Sequence, residues 1–79
     1  MEINTTTTYF VELTKSKKDR CEVTAYVRTT DEAWAQKLFD RYVNDVRKDC
    51  ANGADGVRMC RGYYYDDAEI VEIYGRWVR

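Results

Sequence analysis

Apolar and polar positions alternate with period two in two stretches near the start of the chain. In "TTTTYFVELT", Tyr9, Val11 and Leu13 share one side, and threonine, valine and aromatic residues favour a pleated, half-buried strand. In "RCEVTAYVRT", Cys21, Val23, Ala25 and Val27 alternate with Glu22, Thr24, Tyr26 and Arg28. Between them "KSKKD" breaks the apolar pattern with charge and reads as a hairpin loop. The period then becomes helical. Ala35, Leu38, Phe39, Tyr42, Val43, Val46 and Cys50 form one stripe of "TTDEAWAQKLFDRYVNDVRKDCANG", with Lys37, Arg41, Asn44 and Lys48 opposite. Thr29 or Thr30 supplies the N-cap, with Glu32 placed for a capping box if Thr29 is the cap. Asn52 and Gly53 supply the stop, because both tolerate a left-handed backbone. Beyond "GADG", the segments "VRMCRGYYY" and "EIVEIYGRWVR" read as two more strands, joined by a turn at Asp66, Asp67 and Ala68.

The order is ββαββ. The expected fold is α+β, a two-layer arrangement in which one helix packs on one face of a four-stranded antiparallel sheet. Residues 1–79 have room for a single domain with one modest core.

One helix shields only one face, and alternation assigns the side chains of the other. With Tyr9, Val11 and Leu13 toward the helix, Phe10 and Glu12 face out, together with Tyr26 and Arg28. On the fourth strand Val71, Ile73 and Trp77 make the better inward set, leaving Ile70, Glu72, Tyr74, Arg76 and Val78 outside. Gly62 is a candidate bulge that swaps faces, so either Tyr64 points outward or Tyr63 and Tyr65 do. The open face is thus expected to carry Phe10, Tyr26, Tyr74 and at least one further tyrosine, interleaved with glutamate and arginine. That composition matches protein-binding hot spots. It also suits a merely solvated sheet face, where each cross-strand pair contributes about 0.2–1 kcal/mol.

Composition narrows the function. The chain is 44% hydrophobic and 34% charged, in the range of folded globules. No apolar run approaches the roughly 20 residues that span a bilayer. "MEINTTTTYF" lacks the basic and apolar regions of a signal peptide, so a cytoplasmic location is expected. A net charge of -1 argues against a sequence-independent nucleic-acid binder. Histidine is absent, which excludes His-based triads and metal sites. No glycine-rich phosphate loop is present. Cys21, Cys50 and Cys60 lack C-x-x-C spacing and read as buried, reduced thiols, with one exposed thiol as the alternative. Asp66, Asp67, Glu69 and Glu72 lack calcium-loop spacing. They read as a solvated turn and strand edge, or as a charged surface for a basic partner. Lys15, Lys17, Lys18 and Arg20 read as a solubilising hairpin tip. No catalytic residue, cofactor or metal is expected.

Taken together, the small single domain, the lack of a catalytic set and the acidic and aromatic surface residues around "YYYDDAEIVEIY" resemble the small phage-encoded anti-CRISPR proteins. The resemblance lies in size and character, with no shared motif. It implies a protein that binds a type I CRISPR surveillance (Cascade-like) complex in the bacterial cytoplasm and blocks recognition of target DNA. Asp66, Asp67, Glu69 and Glu72 would stand in for phosphates, and Phe10, Tyr26, Tyr64 and Tyr74 would add contact area. The near-zero net charge puts plain steric blockade on an equal footing with charge mimicry. Two alternatives remain. One is a nucleic-acid-binding module that stacks bases on Phe10, Tyr26, Tyr64 and Tyr74, although Glu12, Glu22 and Glu72 on the same face would repel phosphate. The other is a homodimer that pairs its sheet faces.

Overall fold

A computed structural model describes residues 7–75. Strands β1 (Thr8–Ser16) and β2 (Cys21–Thr29) form a hairpin, helix α1 (Glu32–Arg47) follows, and β3 (Gly56–Gly62) and β4 (Glu69–Gly75) complete the sheet. All pairings are antiparallel and the spatial order is β2-β1-β3-β4. The α+β, ββαββ architecture is therefore the expected one. The helix carries the chain from edge strand β2 across to central strand β3, and it packs mainly on β1 and β3.

The core lies between the helix and the two central strands. Tyr9 and Val11 of β1, Val57 and Met59 of β3, and Ala35 and Phe39 of α1 are buried together, with Leu13, Leu38, Tyr42, Val43, Val46 and Tyr74 packed around them. Burying a side chain such as Phe39 contributes roughly 1.5–3 kcal/mol. Six stripe positions of α1 thus face the core as their spacing requires. Cys50, the seventh, lies past the end of the helix and is exposed.

Both helix ends differ from expectation for local reasons. Thr29 is still paired with Tyr9 in the sheet, so it cannot cap. Asp31 caps instead, its Oδ1 accepting the Trp34 N–H at 3.0 Å, while Thr29 Oγ1 accepts the Asp31 N–H. At the other end Asp49 takes φ 57°. The Asp49 N–H donates to the Val46 carbonyl and the Cys50 N–H to the Asp45 carbonyl, the paired bonds of a Schellman stop. Asn52 and Gly53, both at positive φ, form a separate turn closed by the Ala54 N–H on the Ala51 carbonyl.

Three departures from strict alternation shape the open face. In β2 the register shifts opposite Leu13/Thr14, and Thr24 Oγ1 donates to the Leu13 carbonyl. Val23 then pairs with Thr14 and lies on the same face as Tyr26, as does Cys21 opposite Ser16; neither shares the face of Ala25 and Val27. In β4 a shift opposite Met59/Cys60 leaves Val71 as the extra residue. Ile70 and Ile73, three residues apart, consequently share the open face opposite Cys60 and Arg58. Tyr74 pairs with Val57 and packs against the core. The expected inward role of Ile73 and outward role of Tyr74 are both reversed. Arg76, Trp77 and Val78 lie outside the described residues.

The third departure is at Gly62. The strand stops there, and Tyr63–Tyr65 leave the sheet. A Cβ on Gly62 would lie 2.7 Å from the Ala68 Cα, so glycine is needed for the close approach of the two arms of the connection. The bulge expected at Gly62 sits at Val71 instead.

Candidate functional site

Phe10 and Glu12 project from β1 onto the helix-free face, beside Arg58 and Cys60 of β3. They were expected to be exposed there. The face is correct, but Phe10 is only 3% and Glu12 only 1% exposed, because the β3–β4 connection arches back over them. Its short 3-10 turn, Tyr65–Asp67, is tightened by the Asp67 carboxylate, which accepts the Tyr64 N–H at 3.0 Å. The Tyr65 ring then meets Phe10 edge-on, with centroids 5.4 Å apart at 75°, a favoured aromatic geometry.

Beneath that ring Glu12 gathers three donors. Arg58 Nε donates to Oε1 at 2.6 Å, the Tyr65 hydroxyl to Oε2 at 2.6 Å, and the Cys60 thiol to Oε1 at 3.7 Å. Arg58 Nη2 also reaches the Tyr65 hydroxyl at 3.4 Å. A buried carboxylate needs such compensation, and among the described residues no buried side-chain N or O atom lacks a partner. The hydrogen bond to Glu12, with burial, pushes the Tyr65 hydroxyl up to about 12. Burial, reinforced by the Glu12 charge, pushes the Cys60 thiol up to about 11. A thiol held there is protonated at neutral pH and a poor nucleophile. The cluster is chemically quiet and mechanically firm: it ties the Tyr63–Asp67 segment to the centre of the sheet.

Two hollows flank this anchor. One, of about 570 Å³, lies between Thr29, Thr30, Arg28, Tyr63 and Tyr64. The other, of about 390 Å³, lies between Val23, Tyr26, Arg28 and Glu12. Phe10, Tyr65 and Arg28 border both, so the hollows adjoin on the helix-free face over β1 and β2 as one groove. Tyr26, Tyr63, Tyr64 and Tyr65 are 62%, 54%, 75% and 48% exposed. Among the described residues no group of acids and cysteines is arranged to hold a metal ion, and no helix is long and apolar enough to cross a membrane.

The groove brings Phe10, Tyr26 and Tyr64 together, with Asp66 and Asp67 on the adjoining turn. It does not include the rest of the predicted surface. Glu69 pairs with Arg61, opposite core-side Tyr9, and Glu72 with Met59, so both point to the helix side of the sheet, where Tyr74 also packs. Alternation offered either Tyr64 or Tyr63 and Tyr65 as outward, whereas all three are exposed; what it missed is Val23 and the pairing of Glu12 with Arg58. One signal for the pair was present. Glu12 and Arg58 are single opposite charges within the apolar runs "FVEL" and "VRMC", and buried charges require partners. The lysine-rich hairpin tip lies at the other end of β1, where Arg20 Nη2 and Lys17 Nζ reach Glu22 at 3.0 and 3.9 Å.

No protein-family model, curated protein or solved structure matches the chain.

Proposed function

We propose that this protein is a non-enzymatic, protein-binding inhibitor whose contact surface is the tyrosine groove on the helix-free side of the sheet. The carrying observation is the gathering of four exposed tyrosines around an anchored turn. Tyrosine supplies large contact area at low conformational-entropy cost, and anchoring removes more of that cost before a partner arrives. The target class follows from the resemblance to anti-CRISPR proteins: a type I surveillance complex in the bacterial cytoplasm, whose DNA-recognition surface the protein would cover. Steric blockade suits this geometry better than phosphate mimicry. Asp66 and Asp67 lie beside the groove, whereas Glu69 and Glu72 face the other side and Glu69 is paired with Arg61 at 2.9 Å. The base-stacking alternative loses its platform, since Phe10 is buried under Tyr65 and Tyr74 packs with the core.

The test is capture on immobilised protein from a bacterium carrying a type I system, with mass spectrometry of the eluate. Effector subunits are expected with the natural chain and absent with Tyr64→Ala. Recovery of none, or equal recovery by both proteins, would refute the proposal.

A further inference from the structure

We infer that the groove receives a segment of the partner protein bearing a carboxylate, which binds Arg28 between two apolar neighbours seated in the flanking hollows. The inference rests on the protein-binding reading above and specifies its chemistry. Charge decides the polarity. Among the described residues that line the groove Glu12 is the only acid, and Arg58 at 2.6 Å neutralises it beneath the surface. Arg28 is exposed and borders both hollows, and among the described residues no carboxylate pairs with it.

Among the described residues the groove therefore presents one uncompensated cation, Arg28, framed by aromatic walls. Arg28 lies directly across from Phe10 in the sheet, and Tyr26, two residues away, shares its face. A guanidinium in such a setting is well suited to a planar carboxylate, because it offers paired donors and is weakly hydrated. In an extended peptide the side chains two residues before and after the carboxylate share its face, each about 7 Å from it, so they are the apolar neighbours that would enter the two hollows. A nucleic acid fits less well. It brings a charge at every nucleotide, and the turn beside Tyr64 and Tyr65 carries Asp66 and Asp67 against a single cation.

Two blocked peptide pools would test this on the full chain labelled with nitrogen-15. One has glutamate at its centre flanked by leucine, phenylalanine and proline; the other has glutamine in its place; a ten-residue oligothymidine serves as the third probe. The glutamate pool should shift the Arg28 side-chain N–H and the Thr29 and Tyr64 amides, and bind about tenfold more tightly than the glutamine pool at low salt. Arg28→Gln should erase that preference while leaving the amide spectrum of the fold intact. Equal binding of the pools, no shift from either, or tighter binding of oligothymidine at the same resonances would overturn the inference. Capture separates the two levels. If Tyr64→Ala loses the effector complex and Arg28→Gln keeps it fully, the carboxylate assignment falls and the protein-binding reading stands. If neither variant loses it, both fall.

Discussion

Glu12 sets the geometry of the open face, because one carboxylate holds β3 through Arg58 and the aromatic turn through Tyr65. Its replacement should be felt in both. Glu12→Ala removes the buried carboxylate that Arg58 Nε and the Tyr65 hydroxyl both bind, and a loss of roughly 3 kcal/mol is expected from urea denaturation. The Tyr65 hydroxyl reports the same contact. Its value is about 12 in the folded chain against an ordinary 10, so the neutral form is the one that folding favours. The corresponding stability is complete below pH about 10 and is lost as pH rises from there through about 12. In an alkaline absorbance titration Tyr65 should ionise well above the ordinary tyrosine value, and Glu12→Gln should return it toward the ordinary range. Late ionisation that persists in Glu12→Gln would separate Tyr65 from Glu12.

Among the elements, β4 shows how a single extra residue reassigns a strand. With Val71 in the bulge, Ile70 and Ile73 share the open face and Tyr74 turns to the core. Tyr74→Ala should therefore destabilise the fold by about 2 kcal/mol, while Tyr64→Ala, on the exposed turn, should stay within about 0.5 kcal/mol of the natural chain. Thermal denaturation of the two variants side by side checks the assignment, and equal stabilities would contradict it. The same bulge marks the boundary of what was legible in the sequence. The inward stripe of α1 and the inward Tyr9, Val11 and Leu13 follow from periodicity, which reflects how a helix or strand presents side chains to one neighbour. Bulges at Thr24 and Val71 reset that phase through a side-chain hydrogen bond or an edge position, and local composition does not encode either. The "YYYDD" run misled for another reason. Its β-favouring tyrosines read as strand, yet the approach of Gly62 to Ala68 and the Asp67–Tyr64 hydrogen bond turn the chain back over the sheet. Long-range burial of Glu12 rewards that turn, and no window of a few residues contains the information.

At the scale of the whole molecule, one helix on a four-stranded sheet leaves a face that the described residues cover only in part. The Tyr63–Asp67 connection closes the centre of that face and turns its margins into a groove, so the segment that completes the fold also forms the contact surface. Binding and stability should consequently separate by position: the ring on Glu12 supports both, and the rings at the rim support binding alone. The most direct measurement is calorimetric titration of a purified type I surveillance complex with the natural chain, Tyr64→Ala, and Lys37→Ala on the solvent side of α1. A loss of at least about tenfold in affinity for Tyr64→Ala, with less than about a twofold change for Lys37→Ala, is the predicted result. Undiminished binding by Tyr64→Ala, or no heat of binding by the natural chain, would contradict it.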